Sequence, residues 1–190
     1  MSNILRSKCA VVGDCTVGKS ALIQMFLSDG RNFLKNYNMT CGVELNIKSI
    51  TIPDTSATVE LFLYDSSGRD LYLESLPKYW NEPNMVFAVY DVTSEASFNS
   101  VNRWVSMVRD YVPIRGASSA PGVLFANKID LLERRSVSPK AGAALAEKLG
   151  LHYFEGSAKE YSGVEEPFFL LSYEWHKLLT EKRKQFNLIG

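Results

Sequence analysis

The sequence predicts an α/β fold built on a mostly parallel β-sheet. Short apolar runs typical of buried strands alternate along the chain with longer segments that have the spacing of amphipathic helices. A glycine-rich loop joins the first such strand to the first such helix. The 190 residues, 46% of them hydrophobic, suffice for one domain with a sizeable core. We therefore expect a single domain over residues 1–190.

Six strands are predicted, the second as an edge strand. Val43–Ile52 alternates apolar and polar residues, so one of its faces should meet water. The turn residues Pro53–Ser56 join it to the next strand in a hairpin. The six runs are Lys8–Val12, Val43–Ile52, Thr58–Tyr64, Met85–Tyr90, Gly122–Ala126 and His152–Glu155.

Five helices are predicted between and after these strands. The fourth has the clearest boundaries, because Ser138 can cap it, Pro139 suits its first position and Gly150 stops it. Pro77 should perturb the second. The helices are Ala21–Leu27, a segment from Asp70 to about Trp80, Ser97–Val112, Pro139–Leu149 and Val164 to about Lys182.

Composition narrows the classes of function. The formal net charge is zero, so nothing indicates broad attraction to nucleic acid or to an acidic membrane surface. Cys9, Cys15 and Cys41 lack metal-type spacing and are expected to be reduced thiols; a reactive Cys15 near phosphate is the alternative. No cysteine follows Cys41 and no apolar run is long enough to cross a bilayer, so we expect no direct lipid anchor.

The loop Gly13–Ser20 has the form G-x-x-x-x-G-K-S between a strand and a helix, which is typical of a phosphate-binding P-loop. Its backbone N–H groups and the helix start make a concave anion site. Gly13 and Gly18 permit close approach of the backbone. Lys19 supplies positive charge to the outer phosphates, and Ser20 supplies a hydroxyl to magnesium. A chance match is disfavoured because the flanking elements agree.

Further candidate residues fall at the carboxyl ends of strands or in adjoining loops, where ligands bind in open α/β sheets. They are Thr40, Asp65, Gly68, Asn127–Asp130 and Ser157–Lys159. The Asp65 carboxylate can hold magnesium through water, and the Gly68 N–H can meet a terminal phosphate. Each alone could be an ordinary turn residue, but their convergence predicts a nucleotide site.

The segment Asn127–Asp130 predicts that the base is guanine. The Asp130 carboxylate can accept hydrogen bonds from guanine N1–H and N2–H₂, a donor pair that adenine lacks. Lys128 can lie along the base, and Asn127 can tie neighbouring loops together. Ser157–Lys159 can offer a backbone N–H to the guanine oxygen. Phe33 either lies against the base or anchors its loop.

Taken in this order, these motifs resemble the Ras superfamily of small GTPases over nearly the whole chain. The Rab branch is indicated by Thr40–Glu44 and Tyr90–Thr93. Similarity to the Rab-like GTPases of intraflagellar transport lies in Ser28–Gly30, Pro53–Thr55, Trp80–Asn84 and Glu165–Phe169. The resemblance implies a G domain over about 6–183 with a short tail at 184–190. It further implies six strands with one antiparallel edge, five helices and two nucleotide-sensitive switches.

The resemblance also implies GTP or GDP with Mg²⁺ as ligands. Ser20, Thr40 and Asp65 would hold the metal, and Lys19, Gly68 and residue 69 would take part in hydrolysis. Nucleotide contacts are implied for Gly13, Asp14, Thr16, Val17, Gly18, Lys19, Ser20, Ala21, Phe33, Thr40, Gly68, Asn127, Lys128, Asp130, Ser157, Ala158 and Lys159.

Two features concern the phosphate end of the predicted site. Arg69 stands where most of the superfamily has a glutamine that orients the attacking water. Arginine has no acceptor, so we expect slow GTP hydrolysis; the alternative is that Arg69 acts as an arginine finger. The Asp14 carboxylate is expected to point away from the phosphates, because repulsion would otherwise weaken binding.

The predicted function is that of a GTP-regulated switch or subunit of the intraflagellar-transport B complex, in the cytoplasm, the cilium or flagellum and its base. The implied partners are a small β-sandwich subunit of the protein 25 type and other subunits of that complex. A non-cycling structural subunit and an unprenylated Rab-type trafficking GTPase remain alternatives. A P-loop kinase or ATPase is disfavoured by Asn127 and Asp130.

The last helix is a candidate docking surface, because its apolar residues exceed a narrow buried stripe. Core packing is the alternative and explains about half of them. The residues are Phe168, Phe169, Leu171, Trp175, Leu178 and Leu179, followed by Phe186, Leu188 and Ile189.

Overall fold

A computed structural model describes residues 3–33, 38–113 and 120–187, with side chains in the last helix to residue 184. Its sheet has six strands in the order β2-β3-β1-β4-β5-β6. The pair β2–β3 is antiparallel and the other pairs are parallel, which confirms the predicted fold class. The strands are β1 Asn3–Val12, β2 Val43–Thr51, β3 Ala57–Ser66, β4 Met85–Asp91, β5 Gly122–Asn127 and β6 His152–Glu155.

The first strand is longer than its apolar run predicts. It begins at Asn3, because its polar first half pairs in parallel with β3 from Asn3 opposite Ala57 to Val11 opposite Asp65. Pairing with a neighbouring strand, rather than burial of both faces, sets this boundary.

The described residues contain six α-helical segments, where five helices were predicted. They are α1 Lys19–Leu27, α2 Leu76–Trp80, α3 Glu95–Asn99, α4 Val101–Arg109, α5 Pro139–Leu149 and α6 Glu165–Asn187. None of these described helices combines the length and the apolar character needed to cross a membrane.

The extra segment arises because the predicted helix Ser97–Val112 is divided. The Ser94 side chain accepts a hydrogen bond from the Ser97 N–H and starts α3 earlier than predicted. The Ser100 hydroxyl donates to the Ala96 carbonyl at 3.0 Å, and Ser100 stands between α3 and α4. Such a bond competes with the helical hydrogen bonds and often bends the helix.

The continuous helix predicted from Asp70 to Trp80 is wrong. A short 3₁₀ helix, Asp70–Tyr72, precedes the five-residue α2. Pro77 lies in the first turn of α2, where its missing N–H breaks no helical bond. A second 3₁₀ helix, Ile129–Arg134, follows β5 and was not predicted.

Apolar residues cover both faces of the sheet. On one face, α1 and α6 contribute Phe26 and Phe168, which stack with ring centroids 4.1 Å apart, and Phe168 also stacks on Phe87 of β4. On the other face, Trp80 and Trp104 are fully buried. The sheet is therefore held between two layers, and the carboxyl ends of its parallel strands open at one edge.

Candidate nucleotide-binding site

A cavity of about 370 Å³ lies at this edge. Most of the predicted contact residues line it: Thr16, Gly18, Lys19, Ser20, Ala21, Phe33, Thr40, Gly68, Asn127, Lys128, Asp130, Ala158 and Lys159. It is also lined by residues that the sequence did not single out as contacts: Cys15, Asn38, Ser66, Ser67 and Leu131. Convergence of separate motifs on one cavity is what a shared ligand requires.

The P-loop curls around the amine of Lys19. Its Nζ donates to the carbonyls of Gly13 and Asp14, each at 2.8 Å. Gly13 has a φ of +145°, and a Cβ there would lie 2.2 Å from the Val89 carbonyl oxygen. Burial lowers the pKa of Lys19 to about 8, against the opposing charge of Asp65. At pH 7 the amine is therefore mostly protonated.

Three of the predicted contact residues in the P-loop do not line the cavity. Gly13 and Val17 are buried residues of the loop, and the Val17 carbonyl accepts a hydrogen bond from the side chain of Asn127. The Asp14 carboxylate receives a hydrogen bond from Trp104 Nε1 at 2.7 Å and lies 3.7 Å from Arg103. That carboxylate is thus held away from the cavity, as repulsion between like charges leads one to expect.

The three predicted metal ligands meet at the end of the cavity formed by the P-loop, Thr40 and Gly68, here named the phosphate end for its predicted ligand. Ser20 Oγ lies 3.0 Å from Thr40 Oγ1, which in turn lies 3.4 Å from Asp65 Oδ2. Asp65 is only 1% exposed, and its Oδ1 has no hydrogen-bond partner among the described residues. Burial raises the pKa of Asp65 above its usual range. A buried carboxylate oxygen beside two hydroxyls suits a hard cation.

The opposite end of the cavity, formed by Asn127–Asp130 and Ala158, is named the base end for its predicted ligand. There Asn127 joins three loops. Its Nδ2 donates to the Val17 carbonyl at 2.8 Å, and its Oδ1 accepts from the Ala158 N–H at 3.0 Å. The Asp130 carboxylate accepts from Ser157 Oγ at 2.6 Å, which fixes Asp130 on the 3₁₀ helix. Ser157 is buried off the cavity, so it acts on Asp130 rather than on the ligand directly.

Lys128 has a partner that the sequence did not reveal. Its Nζ lies 2.7 Å from Asp91 Oδ2, while Asp91 Oδ1 accepts from the N–H and hydroxyl of Thr93. These bonds outweigh burial, so the pKa of Asp91 stays below its usual range. Asp91 ends β4 at the same edge as the other motifs, and that position is the signal that could have identified it.

Arg69 is exposed and does not line the cavity. Its neighbour Gly68 packs tightly on the P-loop, where an added Cβ would lie 2.3 Å from the carbonyl carbon of Asp14. Gly68 therefore reaches the phosphate end, and the side chain of residue 69 does not.

The apolar residues of α6 divide into buried and partly exposed ones. The core-packing alternative predicts that about half of them are buried. Phe168 and Leu171 are fully buried, whereas Phe169 is 44% exposed. Trp175 and Leu179 pack partly on a cluster that contains Leu5, Ile52, Ala57 and Val59. The side chain of Phe186 and all of Leu188 and Ile189 lie outside the described residues.

Comparison with known proteins identifies the family of the chain. A model described as the Ras family matches residues 8–177. The human intraflagellar transport protein 27 homolog is 44% identical over 186 residues, which are 98% of each chain. Intraflagellar transport protein 27 of Chlamydomonas reinhardtii is 41% identical over 96% of this chain and 90% of its own. Ras-related protein RIC1 of Oryza sativa is 34% identical over 88% of this chain and 79% of its own. The chain therefore belongs to the Ras family of small GTP-binding proteins.

Proposed function

We propose that this chain is a nucleotide-dependent switch that binds GTP or GDP with Mg²⁺ and hydrolyses GTP slowly. The observation that carries this proposal is the contact of Ser20, Thr40 and Asp65 across three separate segments. Only Ser20 belongs to the P-loop. Thr40 lies before β2 and Asp65 near the end of β3, so a metal and terminal phosphate bound here would tie the loop before β2 and the loop after β3 to the nucleotide.

The residues present fit magnesium. Ser20 and Thr40 offer hydroxyl oxygens, and Asp65 offers the buried Oδ1 that lacks a partner among the described residues. When bound, the ion would supply positive charge that neutralises the phosphates. Lys19 would add a positive charge from the loop, and the Gly68 N–H would meet the terminal phosphate.

The other end of the cavity fits guanine. Asp130 would accept from N1–H and N2–H₂, the segment Ser157–Lys159 would offer a backbone N–H to the guanine oxygen, and the stem of Lys128 would lie along the ring. Phe33 lines the cavity and would close the opposite side of the base.

Hydrolysis is expected to be slow because of Arg69. A guanidinium donates five N–H groups and accepts none, so it cannot orient water by accepting its hydrogen bond. The position of Arg69, exposed and outside the cavity lining, gives no support to the alternative of an arginine finger supplied by the same chain.

We further propose a role in intraflagellar transport, with the cilium or flagellum and its base as the place of action. Support comes from the two relatives named intraflagellar transport protein 27, which match nearly the full chain. The proposed partners are a small β-sandwich subunit and other subunits of the B complex. Phe169 and Tyr173, 44% and 54% exposed on α6, are the candidate docking residues.

A non-cycling structural subunit is the second candidate function. It is favoured by one observation, the arginine at residue 69, because a protein that hardly hydrolyses GTP need not cycle. Bound nucleotide and its exchange rate separate the two candidates.

Single-turnover hydrolysis of GTP tests the proposed slow step. Arg69→Gln restores an acceptor and is expected to raise the rate at least about tenfold. Arg69→Ala is the matched control, since it removes the guanidinium without adding an acceptor and should leave the rate unchanged. A Gln variant no faster than wild type contradicts the account, and an Ala variant slower than wild type indicates an arginine finger.

A further inference from the structure

A polar network lies behind the base end of the cavity, outside its lining. Arg135 donates through both terminal nitrogens to Glu155, Nη1 to Oε1 at 2.9 Å and Nη2 to Oε2 at 3.0 Å. The Tyr153 hydroxyl donates to the same Oε1, and it lies 3.3 Å from the hydroxyl of Tyr90. The side chains of Arg135 and Glu155 are only 15% and 24% exposed.

The two ionic partners stand at the bases of the two base-reading loops. Arg135 caps the end of the 3₁₀ helix Ile129–Arg134, which carries Asp130. Glu155 is the last residue of β6, two residues before Ser157. The two loops are also joined by hydrogen bonds, among them one from the Ile129 N–H to the Gly156 carbonyl at 3.2 Å and one from Ser157 Oγ to Asp130 at 2.6 Å.

The network holds Glu155 in its charged form from several directions. Burial works to raise the pKa of Glu155, but the hydrogen bonds from Arg135 and Tyr153 outweigh it and keep that pKa below its usual range. Because the fork of a guanidinium matches a carboxylate in one plane, the pair fixes orientation as well as distance.

The helix α5 leaves room for the network. An added Cβ at Gly142 would lie 2.4 Å from the Tyr153 hydroxyl and 2.5 Å from the Tyr90 hydroxyl. The two tyrosines, on β6 and β4, therefore sit against backbone rather than beside a movable side chain, and the Tyr153 hydroxyl has little freedom to turn away from Glu155.

We propose that Arg135 and Glu155, braced by Tyr153, are positioning residues that set how closely Asp130 meets the two guanine N–H donors. This rests on the proposed role of Asp130. None of the three residues touches the ligand cavity, so they act through the loop geometry. Accepting from N1–H and N2–H₂ together needs both carboxylate oxygens aligned, so a small tilt of the 3₁₀ helix would weaken this paired contact of guanine more than the single contact of a base without the exocyclic amine.

Dissociation of fluorescently labelled GDP and IDP from the Mg²⁺-loaded full chain tests this. Inosine retains N1–H and the ring oxygen but lacks the exocyclic amine. Arg135→Gln is expected to speed GDP release about tenfold and IDP release no more than about twofold. Arg135→Lys keeps the charge without the fork and should fall between wild type and Arg135→Gln, while Tyr153→Phe should give a smaller change in the same sense.

Arg6→Gln is the matched control, because Arg6 also pairs with a glutamate, Glu60, at 3.0 Å but far from the cavity. It should change neither rate. Equal acceleration of GDP and IDP release by Arg135→Gln and Tyr153→Phe would mean general loosening and overturn the inference, as would no change in GDP release. If wild type releases GDP and IDP equally fast, the proposed role of Asp130 fails, and the inference that depends on it falls too.

Discussion

The two ends of the cavity differ in how they are held. At the base end, Asn127 and Asp130 are each fixed by hydrogen bonds to neighbouring loops. At the phosphate end, Thr40 is only partly buried, Arg69 is exposed, and Asp65 keeps a buried oxygen without a partner among the described residues. The residues predicted to read the base are thus held in place by the fold, whereas the predicted metal ligand Asp65 leaves a buried oxygen available to a ligand.

The largest expected effect breaks the base end. Asp130→Ala removes the carboxylate that would read both guanine donors, and we expect GDP affinity to fall by about 1,000-fold. Glu133→Ala is the matched control, since Glu133 is an exposed carboxylate on the same 3₁₀ helix. Equilibrium titration with labelled GDP measures both, and equal affinities for wild type and Asp130→Ala would remove the base end from the account.

The next largest effect concerns the contact between Asn127 and the P-loop, which connects the two ends of the cavity. Gly18 has a φ of +100°, and a Cβ there would lie 2.3 Å from Asn127 Nδ2. Gly18→Ala should therefore displace Asn127 from the P-loop and weaken GDP binding about 100-fold.

Gly150→Ala controls for backbone strain alone. Gly150 has a φ of +60°, but its added Cβ meets nothing within 4 Å. We expect it to lower the melting temperature slightly and leave GDP affinity within about twofold. If both glycine variants bind GDP equally, the contact of Gly18 with Asn127 does not matter for the site.

A smaller effect should distinguish the two ends, because a change at the phosphate end should weaken binding of a GTP analogue more than binding of GDP. Thr40→Ala removes one hydroxyl from the predicted metal ligands, and the proposed switch needs Thr40 only while the terminal phosphate is present. Affinity for a non-hydrolysable GTP analogue is expected to fall about tenfold, with GDP affinity within about twofold. Thr40→Ser, which keeps the hydroxyl, should restore most of the difference; an equal loss for both nucleotides would contradict the division of labour.

The smallest effect lies beneath the phosphate end. Arg103 contacts Asp14 and, at 3.1 Å, Asp70, but its side chain is 49% exposed. Exposed ion pairs contribute about 0–1 kcal/mol. Arg103→Gln should therefore change GDP affinity by no more than about twofold, and a tenfold loss would show that the orientation of Asp14 depends on this pair rather than on Trp104.

The sequence predicts the fold and most of the residues that line the cavity, because both depend on local patterns. Apolar runs locate the strands, and Asn127–Asp130 is a contiguous segment whose chemistry predicts guanine as the base. The Ser100 hydroxyl donates to the Ala96 carbonyl where the predicted helix breaks, and the Ser75 hydroxyl donates to the Tyr72 carbonyl at the end of the 3₁₀ helix Asp70–Tyr72. Such side-chain hydrogen bonds compete with regular helix, and periodicity does not register them.

The partners of the site residues were not predictable in the same way. Asp91 beneath Lys128 and Arg135 beside Glu155 come from distant parts of the chain, and only the packed sheet brings them together. Their residue types alone are compatible with an ordinary solvated surface. Such pairs are set by register and loop length, so they become visible only once the strands are placed.

Amide hydrogen exchange, compared between the GDP-bound chain and the chain bound to a non-hydrolysable GTP analogue, tests the contrast between the two ends most directly. We predict that protection differs around Thr40 and Gly68 and stays the same at Asn127–Asp130 and Ser157–Lys159. Equal protection throughout, or a difference centred on the base end, would contradict it.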